Sequence, residues 1–219
     1  MSHASSGQMT NFYSEYKYRS GDNANGAQGL QLMRKAIGVL RGLDGVTNVC
    51  ELGCGNGFFA NMLATEGYSV TGVDLSQSGI AHAKAAYGAK IELRCAAING
   101  GLHEIIGADS FDVVIAMEVL EHLYRPADLI EAAHALLKSG GHLVLTTPYH
   151  GYLKNLAISL AGASDKHYNP LWECGHIKFF SVATLRKLMQ AYPFTNIKFS
   201  FWGRLPWLSK SMICIARKV

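Results

Sequence analysis

Short apolar segments alternate with helical patterns along this chain, and this alternation restricts its fold more than any other feature. The run FDVVIA at 111–116 is apolar almost throughout, which is typical of a strand buried on both faces of a sheet. Further strands are predicted at 46–51, 69–74, 90–95, 142–147, 195–201 and 212–216. The pattern predicts an α/β fold in which a mostly parallel sheet carries helices on both faces.

The segments between these strands repeat apolar residues at helical spacing. Helices are predicted at 26–43, 57–66, 77–87, 127–138 and 181–192, with Ser76 and Ser181 as N-caps. We expect these elements to form a single domain over 25–219. Residues 1–24 are polar with scattered aromatic side chains and predict a flexible N-terminal arm. Residues 151–180 predict an insertion or lid on the substrate side of the sheet.

The balance of charge and hydrophobicity excludes several classes of protein. With 49% hydrophobic and 16% charged residues, the chain is expected to be compact rather than disordered. Its net charge of +4 comes from scattered Lys and Arg residues, so a nucleic-acid partner is not expected. The five cysteines form no C-x-x-C pair, which favours reduced thiols and a cytoplasmic location. The N-terminus has no apolar signal core, and the longest apolar tract is too short to span a bilayer.

A glycine-rich turn follows the first predicted strand. In the segment VCELGCGNGFFA at 49–60, Gly53, Gly55 and Gly57 stand where a strand changes to a helix. Turns at this place in a parallel sheet bind nucleotides, because glycine lets the backbone approach the ligand and helix amides face it. Asp74 ends the next predicted strand, where a carboxylate can accept hydrogen bonds from both ribose hydroxyls.

The turn departs from the dinucleotide-binding fingerprint G-x-G-x-x-G. Its third glycine position holds Phe58, whose bulk disfavours a pyrophosphate on the helix. Glu51 lies beneath the turn and would repel a negatively charged pyrophosphate. A nucleoside with a positively charged sulfonium and an amino-acid tail suits this carboxylate better. A nicotinamide-dependent oxidoreductase is therefore not favoured.

These motifs resemble those of the class I S-adenosylmethionine-dependent methyltransferases. ELGCGNG is similar to their first motif and VTGVDLS to their second, while FDVVIAMEVLEH and LLKSGGHLVLTTP are similar to segments around their fourth and fifth strands. The resemblance implies a Rossmann-like fold with a seven-stranded sheet whose last strand is antiparallel. It also implies S-adenosylmethionine as cofactor and S-adenosylhomocysteine as product.

The resemblance assigns cofactor-binding roles to individual residues. Glu51 and Gly53 are expected near the methionine part of the cofactor, Gly55 and Gly57 complete the turn, and Asp74 is expected to hold the ribose. The other expected cofactor residues are Leu75 beside the adenine, Met117 after the fourth strand, and Arg34 as a candidate for the cofactor carboxylate. Many relatives carry an acidic residue after the third strand, where this chain has CAA, so the adenine amine has no assigned partner.

The segment MEVLEH follows the fourth predicted strand and carries two carboxylates and a histidine. On a helix, Glu118 and His122 are four residues apart and Glu118 and Glu121 three, so the side chains would share one face. Such a face could bind a hard divalent cation or include a general base. The structural alternative is that Glu121 and His122 brace the next loop while Glu118 is solvated.

MEVLEH also resembles the same segment in ubiquinone-pathway O-methyltransferases and in plant small-RNA 2′-O-methyltransferases. In the latter group, two Glu and two His bind magnesium. The resemblance therefore implies Glu118, Glu121 and His122 as Mg²⁺ ligands. GHIKFFS is similar to the downstream histidine segment of the ubiquinone group and supplies His176 as the further ligand.

Together these features predict a methyltransferase that acts on a small molecule. O-methylation of a phenolic or apolar acceptor is expected, with His122 or His150 as the base that removes the hydroxyl proton. Methylation at carbon or nitrogen and 2′-O-methylation of RNA remain alternatives. A helix within 151–163 carries leucines on one face; it either packs on the domain or acts as a lid, with at most weak membrane contact. We expect a monomer or a homodimer.

Overall fold

The computed structural model describes residues 26–203 and 207–219, so the predicted arm at 1–24 lies outside the described residues. The helices are α1 (Gly26–Arg41), α2 (Phe58–Thr65), α3 (Gln77–Tyr87), α4 (Leu102–Ile106), α5 (Ala127–Leu136), α6 (Tyr152–Leu160), α7 (Ser164–Tyr168) and α8 (Val182–Gln190), and a 3-10 turn covers Leu120–His122. The strands are β1 (Asn48–Leu52), β2 (Ser69–Asp74), β3 (Glu92–Cys95), β4 (Phe111–Met117), β5 (Leu137–Pro148), β6 (Phe194–Trp202) and β7 (Ser211–Lys218).

The strands form a seven-stranded sheet in the order β3-β2-β1-β4-β5-β7-β6. β7 runs antiparallel to both of its neighbours, whereas β1 with β2, β2 with β3, and β4 with β5 are parallel pairs. The predicted Rossmann-like fold, a mostly parallel sheet with an antiparallel last strand, is therefore confirmed. Because β1 and β2 are parallel and both lie in the first half of the chain, the residues that follow these two strands meet at one edge of the sheet.

The described residues fall into two compact units, of which the first ends at Ile98. In this unit α1 buries Leu32, Met33, Ala36, Ile37 and Leu40, and α2 buries Phe59, Ala60 and Leu63. Phe58 and Met62 of the same helix are only half-buried. The helix begins one residue later than predicted, after the left-handed Gly57, and this start brings Phe59 to the inner face.

In the second unit, Asn99–Val219, the boundary between helix α5 and strand β5 differs from the prediction by several residues. Helix α5 ends at Leu136 rather than at 138, because Leu137 takes an extended backbone and pairs with Phe111 of β4. β5 therefore begins five residues before the predicted strand. The short helices α4 and α7 were not predicted, since five residues are too few to establish helical periodicity.

Both predicted helix caps are confirmed. The Ser76 hydroxyl accepts a hydrogen bond from the Gly79 amide at 3.1 Å at the start of α3. The Ser181 hydroxyl accepts one from the Thr184 amide at 3.3 Å at the start of α8, and the Thr184 hydroxyl accepts from the Ser181 amide. These bonds satisfy amides that the first helical turn leaves without a partner.

Helix α6 turns its apolar side toward solvent. Leu153, Leu156 and Leu160 are 50%, 41% and 81% exposed, whereas Lys154 is 4% exposed. The Lys154 ammonium donates hydrogen bonds of 2.7 and 3.4 Å to the backbone oxygens just after β5 and just before β7. The helix thus packs on the domain through the face that carries the ammonium, and the leucine face stays exposed; its role as a lid stays a prediction. Within the described ranges, no helix is both long and apolar enough to cross a membrane.

Substitution of Gly57 by alanine tests how closely α2 packs against α3. Its φ is +76°, and a Cβ there would approach the Ala83 Cβ to 2.8 Å, whereas Gly67 has φ +97° and nothing within 4 Å. Gly67→Ala should lower the free energy of unfolding by about 1 kcal/mol through backbone strain alone. Gly57→Ala should cost about 2–4 kcal/mol, because the methyl group also clashes with α3. Urea unfolding measures both, and equal losses would contradict a packing role for Gly57.

Candidate functional site

The turn between β1 and α2 has a backbone that requires glycine. Gly53, Gly55 and Gly57 have φ values of 78°, 53° and 76°, all in the left-handed region. The Gly53 and Cys54 amides donate hydrogen bonds of 2.8 and 3.0 Å to the Val73 oxygen. The turn is thereby attached to the end of β2, and its first two glycines lie beside the residue that ends that strand.

Asp74 is oriented toward this turn by backbone amides. Its carboxylate accepts hydrogen bonds of 2.8 Å from the amides of Gly55 and Ser76, one on each oxygen. Burial raises the pKa of Asp74, and these amides lower it in part. Each carboxylate oxygen has a second lone pair, so Asp74 can accept further hydrogen bonds from a ligand. The structure thus brings together Asp74 and Gly55, as the sequence predicted.

Glu51 supplies an incompletely satisfied carboxylate near the same turn. It is 2% exposed, and its Oε2 atom has no hydrogen-bond partner among the described residues. Burial first, and then the Asp74 carboxylate, raise the pKa of Glu51 to about 8. An ionised carboxylate is costly in such a position unless a positive or hydrogen-bonding group faces it.

The contacts of the remaining predicted cofactor residues give less direct support for a role in cofactor binding. Gly57 faces Ala83 of α3, so its lack of a side chain serves helix packing. Arg34 is exposed and lines a groove on α1 and α2 with Ile37, Arg41, Met62 and Glu66, which includes none of the turn glycines. The Leu75 oxygen accepts a hydrogen bond from the Cys95 thiol at 3.5 Å. Met117 ends β4, in the second unit. Their roles toward the cofactor stay predictions.

The segment after β4 does not form the predicted helical face. Glu118 has a left-handed backbone with φ +54°. Its amide donates hydrogen bonds to the backbone oxygen and to the side-chain hydroxyl of Thr146. The chain then enters the 3-10 turn that contains Glu121 and His122. The expectation that the three side chains share one helical face is therefore wrong, because the left-handed Glu118 lies outside the turn that contains Glu121 and His122.

Three of the four predicted metal ligands nevertheless come together. One donor atom each from Glu121, His122 and His176 lie within 4.8 Å of one another, and the His176 Nε2 is 3.9 Å from the Glu121 Oε1. Glu118 contributes no atom to this group. The His122 Nδ1 lies 3.0 and 3.2 Å from the oxygens of Cys174 and Gly175, which places its proton on Nδ1 and its lone pair on Nε2.

The shifted pKa values of the carboxyl groups and imidazoles in and beside this cluster are consistent with a cation-binding site. Burial, and then the Glu118 carboxylate, raise the pKa of Glu121, while burial raises that of Glu118 to about 7. Neither Glu121 oxygen makes a hydrogen bond of normal geometry to a described residue, and the Thr147 hydroxyl lowers the pKa by less than burial raises it. Burial lowers the pKa of His122, and burial followed by His122 lowers that of His176 to about 4. Both imidazoles are thus neutral at pH 7, the form that binds metals.

His150, the other predicted base, packs against three aromatic rings. It is 7% exposed, and its ring centroid lies 5.4, 6.0 and 4.9 Å from those of His167, Tyr168 and Phe179. Its Nδ1 is buried and has no hydrogen-bond partner among the described residues. Burial first, and then the Lys154 charge, lower its pKa to about 4, so the ring is neutral and able to accept a proton.

Lys154 is a site residue that the sequence did not reveal. Burial raises the pKa of Glu118, and the buried Lys154 ammonium opposes this rise; burial lowers the pKa of His150, and the same ammonium lowers it further. Lys154 is therefore a source of positive charge beside these two groups. The available signal was a lysine next to the apolar positions of the α6 pattern. A lysine in such a place usually extends into solvent, so the pattern alone gave no reason to place it inside.

Sequence comparisons connect the chain with methyltransferases. A family described as a methyltransferase domain matches residues 17–198. The ubiquinone biosynthesis O-methyltransferase of Vibrio parahaemolyticus is 30% identical over 165 residues, which cover 73% of this chain and 69% of that protein. The enzyme of the same name from Pseudomonas paraeruginosa is 38% identical over 109 residues, which cover 48% and 46%. The matched segment thus spans about half the length of the Pseudomonas relative.

A solved structure gives the same architecture. Magnesium protoporphyrin IX methyltransferase from Synechocystis PCC 6803, with bound S-adenosylhomocysteine, superposes with a TM-score of 0.67. The superposition covers 97% of this chain and 94% of that chain at 18% sequence identity. At this identity the likeness shows the fold alone.

The raised pKa of Glu51 predicts how stability depends on pH. Between its ordinary value of 4.5 and about 8, the folded protein binds more protons at this group than the unfolded chain. The free energy of unfolding without cofactor should therefore fall as pH rises through this window. Glu51→Gln should flatten the dependence and stabilise the protein by roughly 1–3 kcal/mol at pH 8. Urea titrations at pH 5 and pH 8 measure this, with the exposed Asp44→Asn as control. An unchanged slope in Glu51→Gln would contradict it.

Proposed function

Since the chain belongs to the methyltransferase domain family and is an S-adenosylmethionine-dependent methyltransferase, we propose that it methylates a hydroxyl oxygen of a small phenolic or apolar molecule. The relatives named as ubiquinone biosynthesis O-methyltransferases support oxygen as the acceptor atom. The observation that carries the proposal is that one chain holds both a glycine turn hydrogen-bonded to Asp74, in the first unit, and a buried Glu–His–His cluster, in the second.

Residues of the first unit would hold the cofactor. S-adenosylmethionine supplies a methyl group on a positively charged sulfur, from which an attacking oxygen displaces S-adenosylhomocysteine. Asp74 would accept the ribose hydroxyls through lone pairs that its backbone contacts leave available. Glu51 would face the positively charged methionine end, where its buried oxygen gains the partner that the protein does not provide. The left-handed turn at Gly53 and Gly55 leaves room for the ligand beside the backbone.

A divalent cation would fit the cluster of Glu121, His122 and His176. Buried carboxylate oxygens without hydrogen bonds and two neutral imidazoles are a donor set that gains from a cation. Carboxylates are typical ligands of Mg²⁺, whereas imidazoles also suit transition metals, so Mg²⁺, Mn²⁺ and Zn²⁺ are all to be tested. A cation there would bind the acceptor oxygen and favour loss of its proton.

His150 is the proposed base where no cation takes that role. Its buried Nδ1 is neutral and has no partner among the described residues, so it can receive a proton from an acceptor hydroxyl. His122 is the less suitable base of the two, because its Nε2 lone pair is directed to the metal cluster. The rest of the catalytic effect would come from orientation of the acceptor and exclusion of water.

Other acceptors receive no support from a specific observation. Methylation at carbon or nitrogen, and 2′-O-methylation of RNA, would use the same cofactor residues, and neither is favoured.

The exposed leucines of α6 would contact an apolar acceptor or, weakly, a membrane surface. A single short helix supplies too little apolar area for stable attachment.

Methyl transfer from labelled S-adenosylmethionine tests the proposed function. The acceptors should include catechols and phenols with and without an alkyl chain, primary amines, and a short RNA. We expect an O-methyl product from the phenolic class. Asp74→Ala should weaken S-adenosylhomocysteine binding by about 1.5–3 kcal/mol, the range for a hydrogen bond to a charged group, and Asp44→Ala should not. Transfer to RNA or amines alone would overturn the proposal.

Chelation tests the cation site. EDTA should suppress transfer, and Mg²⁺ or Mn²⁺ should restore it. Glu121→Gln should raise the metal concentration needed by at least about 10-fold, because it removes the buried carboxylate charge. The exposed Glu104→Gln is the matched control. Calorimetric titration of the metal alone provides a readout that does not depend on turnover. Activity that ignores EDTA would leave the cluster without a metal role.

A further inference from the structure

The segment 172–178, which we name the strap, is attached to the 3-10 turn that follows β4. The amides of Ile177 and Lys178 both donate hydrogen bonds of 3.0 Å to the backbone oxygen of Glu121. The backbone oxygens of Cys174 and Gly175 face the His122 Nδ1 at 3.0 and 3.2 Å. The strap therefore fixes the backbone beside two of the proposed cation ligands and itself carries the third, His176.

Trp172, the first residue of the strap, packs against both imidazoles. Its ring centroid lies 5.0 Å from that of His176 and 6.2 Å from that of His122, and the two imidazoles lie 4.9 Å apart. The three rings thus contact one another in a triangle. The indole meets His122 nearly at right angles, at 88°, which is a favoured aromatic geometry. Rotation of either imidazole would break these contacts.

The turn within the strap is built to hold the indole in this place. The Gly175 amide donates a hydrogen bond of 3.0 Å to the Trp172 oxygen. A Cβ at Gly175 would approach that oxygen to 2.7 Å and two atoms of the indole to 3.0 Å, so any side chain would displace the ring. Cys174 has a strained left-handed backbone with φ +58°. Trp172 remains 52% exposed, so burial alone does not explain its position.

We propose that Trp172 is a positioning residue that holds His122 and His176 in the orientation in which both imidazoles bind a divalent cation together with Glu121. The inference rests on the proposed cation site. The backbone oxygens orient His122 from one side, and the indole restrains both rings from another. Residues that orient metal-binding histidines affect affinity without touching the metal, and their loss typically costs about 10- to 100-fold.

Metal titration of the full chain tests the role of Trp172. After removal of bound metal with EDTA, the affinity for Mn²⁺ is measured by calorimetry, and Co²⁺ is added to record the visible ligand-field spectrum. Trp172→Leu should weaken Mn²⁺ binding by about 10-fold or more and change the Co²⁺ spectrum. Trp172→Phe should recover most of the affinity, because it restores an aromatic wall. The neighbouring Leu171 is 89% exposed, and Leu171→Ala should leave both readouts unchanged.

A second variant reaches the same contact without removing the indole. Gly175→Ala should displace the ring and weaken Mn²⁺ binding in the same direction, and unfolding in urea identifies any variant that has lost its fold. Unchanged affinity in Trp172→Leu and Gly175→Ala, with loss in His176→Ala, would overturn the role of Trp172 and leave the cation site standing. Unchanged affinity in His176→Ala as well would overturn the cation site and this inference with it.

Discussion

Burial of carboxylates without a cationic partner is the constraint on which both candidate sites depend. Glu51 and Glu121 are 2% and 0% exposed, and each keeps an oxygen without a hydrogen bond among the described residues. Burial raises the pKa of both, so in the absence of a ligand a proton takes the place of the missing positive charge. Ligand and proton therefore compete for the same group, and a positively charged ligand gains the interaction that folding left unmade.

Much of the fold could be predicted because the strand signals are strong and local. The bounds of β2 and α3 were predicted to the residue, since a glycine or serine marks each change of pattern there. The junction of α5 and β5 could not be predicted, because Leu136 and Leu137 are both apolar and both buried. An apolar pair fits the inner face of a helix as well as it fits a strand. The pairing of Leu137 with Phe111 decides between them, and that contact is distant in sequence.

The candidate site likewise has one part that could be predicted from the sequence and one part that could not. The glycine turn and Asp74 were predictable because they lie within one βαβ unit, where the order along the chain fixes the position in space. The resemblance predicted the three residues of the Glu–His–His cluster together with Glu118, which contributes no donor atom to it, and the geometry of the cluster was not predicted. A left-handed backbone at Glu118 carries no helical signal and cannot be read from a glutamate. The positions of Lys154 and Trp172 depend on contacts with Lys210 and His122, which are distant in sequence, so no local pattern encodes them.

The distance in sequence between the parts of the Glu–His–His cluster has a consequence for how the protein matures. His122 meets the strap at a residue 52 positions further along the chain, with α5, β5, α6 and α7 between them. Closing so long a loop costs chain entropy that early local contacts do not repay. We therefore expect the donor set to assemble late in folding, after the local contacts of β5 and the helices have formed. A cation bound to the proposed site would therefore stabilise the folded unit after its strands have formed.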